Sequence, residues 1–286
     1  MNKIELCMMT KSNRSADLME WCKWHLACGF DKIIVIDNES TFSVKELLKS
    51  YGRVEVRELK GEYGYTNNFN SMYDLYEWIC IERKGKTEWL CFIDDDEYLY
   101  IKDNKSIKEV LNDKYKVMCI YWKMISLPTM IEDRVESVID TFNCYAPLRA
   151  AWCDNVLFKS IVNLNKSQDI KWIDPHLPIV DGKKKGYTYE GKTAEWICSY
   201  FIPDFYDHSN VVLYHYYHQS WKDWEWKCDR AGTNKEGKTF RLKDKEQFIK
   251  ELADYKEIDN RMKERKELNG RYETIPTGKS QVDAPY

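Results

Sequence analysis

The sequence predicts an α/β fold: a three-layer α/β/α sandwich around a mostly parallel central sheet, with helices toward the C-terminal end. Three observations carry this reading. Strand-like and helix-like segments alternate through residues 1–125, and a βαβαβαβ order buries one sheet between two helical layers. Residues 89–93, Trp-Leu-Cys-Phe-Ile, form a continuous apolar run, the pattern of a strand covered on both faces. That run stops at Asp94-Asp95-Asp96-Glu97, so carboxylates gather at the carboxyl end of a central strand, where open α/β sheets bind ligands.

The elements follow in order. Residues 4–10 are the first strand. Residues 15–28 are a helix with Leu18, Trp21, Cys22, His25 and Leu26 on one face, closed by Gly29. Residues 32–37 and 54–59 are the second and third strands, with a short helix over 44–50 between them. Residues 66–83 form a helix, with Phe69, Met72, Tyr73, Tyr76 and Ile79 in phase. After the 89–93 strand come a helix at 107–112 and a strand at 117–122. The second half is less regular: a strand at 159–164, an aromatic strand at 211–217, and helices at 221–230 and 243–267. The Gly- and Lys-rich stretch 182–192 reads as a mobile loop, and the polar stretch 269–286 as a disordered tail. The helix at 243–267 sets Leu252, Tyr255, Ile258 and Met262 on one face, to pack on the core or to form a homodimer.

Composition excludes several classes. Charged residues make up 32% of the 286-residue chain, yet the net charge is only -3, so bulk electrostatics do not favour nucleic acid. No G-x-G-x-x-G or Walker A loop follows the first strand. The ten cysteines are scattered without a C-x-x-C pair, which argues against a zinc site or a disulfide framework and for a reducing cytoplasm. The chain enters its first strand directly, so no signal peptide is expected. No apolar run approaches the ~20 residues that span a bilayer, so membrane association, if it occurs, is expected to be peripheral.

The acidic motif has a chemistry of its own. Four adjacent carboxylates repel one another unless cations or donors compensate them. Asp94 and Asp96, spaced as D-x-D, offer oxygens to one hard divalent ion, Mn²⁺ or Mg²⁺, which can bridge to a diphosphate. The bland alternative is a solvated acidic face, but apolar segments bracket the motif on both sides.

Three strand ends form a set. The first strand runs into Thr10-Lys11-Ser12-Asn13-Arg14, and the helix after it carries Leu18, Glu20-Trp21, His25 and Gly29. The second ends Asp37-Asn38-Glu39-Ser40-Thr41, and the fourth ends Asp94-Asp95-Asp96-Glu97. Over residues 5–101 this set resembles the GT-A glycosyltransferases, specifically their family-2-like and family-92-like group. A fainter echo follows in Lys159-Ser160-Ile161-Val162, Pro175-His176, His215-Tyr216, Gln219-Ser220, Lys227 and Arg230-Ala231-Gly232. The chain departs from the family pattern at Arg14, where a Glu is usual, at Phe42, where an Asp often stands, and at residues 125–128, where a Gly-rich stretch is common.

The resemblance implies a Rossmann-like GT-A domain over 1–232. Residues 1–125 would bind the nucleotide-sugar and 126–232 the acceptor, with a helical extension over 233–268. It implies a metal-dependent, inverting transfer of a sugar from a nucleotide-sugar donor, UDP-linked by preference, to a glycan or lipid-linked glycan in polysaccharide biosynthesis. Asp94, Asp96 and His176 are then the metal ligands, Asp96 the most direct. Thr10, Asn13, Asp37, Asn38, Asp94 and Asp95 line the nucleotide-sugar pocket. Lys159, Lys227, Arg230 and His215 serve the leaving diphosphate. Each residue has a plainer reading: Asp37 or Asn38 as a turn or helix cap, His176 as a loop histidine, His215 as core, and the basic residues as solvated surface. His25, on the apolar helix face, reads as structural. Among Glu132, Asp133, Asp140 and Asp154 as catalytic base, Asp133 and Asp140 are preferred. Two other classes compete. One is a haloacid-dehalogenase-like phosphotransferase, which needs a Thr where this chain has Tyr98. The other is a non-catalytic sugar-binding scaffold.

Overall fold

The computed structural model describes residues 3–61, 71–146, 157–195, 210–230 and 243–272. The first half follows the expected order: β1 (Ile4–Thr10), α1 (Ser15–Ala27), β2 (Lys32–Asp37), α2 (Val44–Leu48), β3 (Val54–Glu58), α3 (Met72–Arg83) and β4 (Trp89–Phe92). After the acidic motif come β5 (Glu97–Ile101), α4 (Ile107–Val110) and β6 (Val117–Ser126). The second half contains α5 (Val138–Thr141), β7 (Cys144–Tyr145), β8 (Phe158–Asn163), β9 (Ile170–Lys171), β10 (Ile179–Val180), β11 (Lys185–Tyr187) and β12 (Thr193–Glu195). It closes with β13 (Val211–His215), α6 (Trp221–Arg230), α7 (Lys245–Leu252), β14 (Glu257–Ile258) and α8 (Arg261–Tyr272).

The main sheet runs β12-β11-β6-β8-β4-β1-β2-β3. Strands β4, β1, β2 and β3 are mutually parallel, and β8 lies antiparallel between β4 and β6. This is the mostly parallel, Rossmann-like α/β architecture that the alternation predicts. Side-chain alternation splits the core in two. Leu6, Met8, Ile33 and Val35 face one cluster with Leu18 and Trp21 of α1. Cys7, Met9, Ile34 and Ile36 face the other with Tyr76 and Ile79 of α3. A period of two on strands covered by helices on opposite faces is the signature of three layers.

Gly29 closes α1 as expected. Its φ is +97°, and a Cβ there would lie 2.0 Å from Ser106 Oγ, so both backbone and space require glycine.

Several expectations are corrected. The 182–192 stretch contains β11, which pairs with β6 and β12; Gly186 lets it lie close against Cys119. The single helix over 243–267 is two helices with β14 between them. The break buries Tyr255, whose hydroxyl meets His218 Nδ1 at 3.0 Å, and lets β14 pair with β7. Leu252 and Met262 are buried as the periodicity requires, but Ile258 is 68% exposed. Strand β5, directly after the acidic motif, was not anticipated; it pairs with β13. Residues 66–70 of the expected third helix and 273–286 of the expected tail lie outside the described residues. No helix among the described residues is long and apolar enough to cross a membrane.

Candidate active site

The parallel order brings the ends of β1, β2 and β4 to one edge of the sheet. Thr10 and Asp37 are register partners, and the Asn38 N–H donates to Thr10 O at 2.8 Å. Asp37 Oδ1 accepts from the Ser40 N–H at 3.0 Å, a local turn. Helix α2 is instead capped by Ser43, which accepts from the Glu46 N–H. Asn38 is buried and donates to Leu59 O at 3.2 Å and Gly61 O at 3.1 Å. Its side-chain nitrogen thus ties β2 to the end of β3 rather than facing an open pocket.

The acidic motif is fastened from below and matched with cations from above. The Trp21 indole donates to Glu97 O at 2.8 Å and to Asp94 O at 3.1 Å, fixing the turn between β4 and β5. Lys159 Nζ of β8 lies 2.8 Å from Asp94 Oδ2. Arg230 of α6 lies 3.3 Å from Asp95, which also accepts from Thr10 Oγ1 at 2.7 Å. Lys227 Nζ, one turn earlier on α6, lies 2.5 Å from Asp96 Oδ2, with His215 Nε2 at 3.4 Å from the same oxygen.

These contacts set the ionisation. Burial pushes Asp94 up, but Lys159 outweighs it and the carboxyl lies below its usual range. Burial likewise opposes the charge of Asp96, yet Lys227 and His215 hold it well below that range. Glu97 goes the other way: burial raises it well above the usual range, and Asp94 and Asp96 add to the rise against Lys159. Burial works against the Lys159 charge, but Asp94 and Glu97 hold its ammonium above the usual lysine value.

Beside this cluster opens a small cleft of about 50 Å³, below the ~300–1,000 Å³ usual for sites that bury a whole small molecule. Of the predicted residues, Thr10, Asn13, Asp95, Asp96, Lys227 and Arg230 line it. Asp37, Asn38, Asp94, Lys159, His176 and His215 are not among its lining residues. The last two flank Trp122, whose ring lies 5.0 Å from His176 and 4.3 Å from His215. His176 Nδ1 donates to Phe158 O at 2.8 Å. Burial, reinforced by Lys159, lowers its imidazole to about 4. His25 is structural as read: Nδ1 donates to Trp21 O at 2.9 Å, and Nε2 accepts from the Leu99 N–H at 3.2 Å.

The preferred bases are tied elsewhere. Asp140 of α5 binds Ser137 Oγ at 2.8 Å and Lys266. Burial would raise it, but Lys266 and Ser137 keep it low. Asp133 meets Lys222 at 3.0 Å and Arg14 at 2.5 Å, and these two cations in that order hold its carboxyl far down. A carboxylate so stabilised is a weak proton acceptor. Glu132 pairs with Lys245 at 2.9 Å, and Asp154 lies outside the described residues, as do Ala231 and Gly232.

The sequence reading missed a second charged network in the cleft. Arg134, buried, grips Asp17 with two nitrogens and donates to Asp223 at 2.9 Å, while Arg14 reaches Asp223 at 2.5 Å. Asp223 had a legible signal: Ser220-x-x-Asp223 is a capping pattern at the start of α6, and the Asp223 N–H donates to Ser220 Oγ at 3.3 Å. Arg134 sits in an irregular segment with no such mark.

No family model matches the chain, and no curated protein matches it. Among solved structures it is similar to one described as a glucose-1-phosphate thymidylyltransferase from Bacillus anthracis, determined with sucrose. The identity is 9% and the TM-score 0.33, over 56% of this chain and 72% of that one. It is similar to 4-diphosphocytidyl-2C-methyl-D-erythritol synthase from Anaerococcus prevotii at 10% identity and a TM-score of 0.29, over 57% and 72%. A third is HddC from Yersinia pseudotuberculosis, at 8% identity and a TM-score of 0.30, over 57% and 77%. At these values any functional reading must rest on the site.

Proposed function

We propose that this chain is a glycosyltransferase that moves a sugar, with inversion, from a nucleotide-sugar donor, UDP-linked by preference, to a hydroxyl of a glycan or lipid-linked glycan. One observation carries the reading: Thr10, Asp95 and Asp96 at the carboxyl ends of β1 and β4 meet Lys227 and Arg230 in a single cleft. Cleaving the sugar C1–O bond leaves extra negative charge on a nucleoside diphosphate. Fixed cations at that point stabilise the charge as it develops, while the sugar becomes oxocarbenium-like. Thr10 and Asn13 supply polar contacts for the nucleotide in the same cleft. The competing phosphotransferase reading needs a Thr at position 98, where this chain has Tyr98, buried in the core. A lipid-linked acceptor would be met by peripheral association at the cytoplasmic face of a membrane.

The resemblance also implies Mn²⁺ or Mg²⁺ on Asp94, Asp96 and His176. As arranged, this donor set does not fit a shared ion. Lys159 occupies an oxygen of Asp94, and Lys227 and His215 crowd one of Asp96. Among the described residues no three His, Cys, Asp or Glu side chains are grouped to hold a metal. No step is therefore derived through an ion.

The test is calorimetric titration with UDP-, GDP-, dTDP- and CMP-linked nucleotides. Saturable binding of one class, lost in Arg230→Met with the fold intact, is the expected result. Binding of none would overturn the reading in favour of a non-catalytic scaffold.

A further inference from the structure

We propose that Lys227 and Arg230 take the place of a divalent ion, while Lys159 closes off Asp94, so that the site binds a nucleoside diphosphate without metal. The inference rests on the nucleotide-sugar reading and deepens it.

Every carboxylate of the Asp94–Asp96 motif already has its own cation. Lys159 serves Asp94 at 2.8 Å, Arg230 serves Asp95 at 3.3 Å, and Lys227 serves Asp96 at 2.5 Å. The two ammoniums are not surface side chains that happen to fall nearby. Lys159 is 1% exposed and Lys227 5%. Lys159 projects from β8, in register with Ile120, and its charge also lies 3.7 Å from Glu97. Lys227 is further held by Tyr217 O at 2.7 Å, and Arg230 by Lys11 O at 2.9 Å. Tertiary contacts therefore position all three cations before any ligand arrives.

A divalent ion shared by Asp94 and Asp96 would sit within a few ångströms of both ammoniums. Like charges forced together where water is scarce repel strongly. Displacing the lysines instead would take two buried ammoniums from the carboxylates nearest them. Nor does the cleft as a whole present excess negative charge. Arg14, Arg134, Lys227 and Arg230 on its walls balance Asp17, Asp95, Asp96 and Asp223. Lys227 and Arg230 supply the same total charge as one divalent ion, fixed by the fold rather than recruited. Lys227 and Arg230, three residues apart on α6, share a face and both line the cleft. That arrangement offers one point charge and one planar fork, a pair suited to two adjacent phosphates.

The experiment titrates wild-type protein with the nucleoside diphosphate of the class that binds, once in excess EDTA and once in excess Mn²⁺. The expected result is the same affinity in both. Lys227→Met should weaken binding about tenfold or more in both conditions, as loss of a charge-assisted contact does, and Lys227→Arg should recover most of it. Binding only with Mn²⁺ would overturn the inference and leave the donor reading intact; binding in neither would overturn both. Should Lys227→Met fail to fold, electron paramagnetic resonance of Mn²⁺ with wild-type protein decides independently. Absence of a tight stoichiometric site supports the inference, and its presence overturns it.

Discussion

Arg14 Nε and Asp223 Oδ1 lie 2.5 Å apart across 209 residues of sequence, clamping the turn after β1 to helix α6. Burial would raise the Asp223 carboxyl, but Arg134 and Arg14 hold it below the usual range. A glutamate at position 14 would face Asp223 and Asp133 at once. Arg14→Ala is expected to cost about 1–3 kcal/mol, and Arg14→Glu measurably more. Urea unfolding of the two variants checks the order, and equal stability would mean that the clamp contributes nothing.

Arg83 of α3 grips Glu5 of β1 with two nitrogens, at 2.6 and 2.5 Å, and both are buried. Breaking such a pair from one side costs up to about 3–5 kcal/mol; here Glu5 would lose its buried partner and keep the half-exposed Lys3 ammonium at 2.9 Å. Arg83→Ala should therefore destabilise strongly. The double change Glu5→Leu with Arg83→Met removes both charges and should cost clearly less than the single one. A double variant that is the weaker of the two in chemical denaturation would refute this account.

His25 yields a pH prediction. Burial lowers its imidazole from 6.5 to about 3, against the hydrogen bond to Trp21 O. The folded protein keeps the ring neutral while the unfolded chain takes up a proton below about pH 6.5. Its contribution is thus complete above that pH and falls as pH drops toward 3, by at most about 1.4 kcal/mol per pH unit. Guanidinium titrations across this window should show a shallower slope in His25→Asn, along with lower stability at neutral pH. An unchanged slope would rule out His25 as a source.

Gly186 allows β11 to lie against β6, and a Cβ there would meet Cys119 Sγ at 2.3 Å. Gly186→Ala should cost about 1–3 kcal/mol through overpacking. In a Cys119→Ala background the same substitution should cost much less. Additive losses in the two single variants and the double, read from thermal unfolding, would place the strain elsewhere.

The first half of the fold was legible because each parallel strand is covered on both faces and each helix carries a stripe, so periodicity reports burial directly. The same clarity located the acidic motif at a strand end. Legibility failed where structure depends on distant partners. β5 exists because β13 pairs with it, and β14 because β7 does; neither pairing leaves a local mark. Lys159 and Lys227 were visible as basic residues, but only their burial beside Asp94 and Asp96 distinguishes them from solvated surface. Arg134 reaches Asp17 from 117 residues away, a distance that no local pattern spans.

Strand β6 changes partners along its length within one sheet. Residues 117–121 pair with β8, 122–124 with β13, and 125–126 with β7. The boundary expected at 125/126 falls inside this strand. The consequence concerns inheritance as much as stability. The second half is not a cassette that recombination at that point could exchange for another specificity, since the cut would sever a ladder common to both. Any new specificity would have to be acquired by substitutions around an intact β6, and the two halves would be expected to unfold, and to evolve, together.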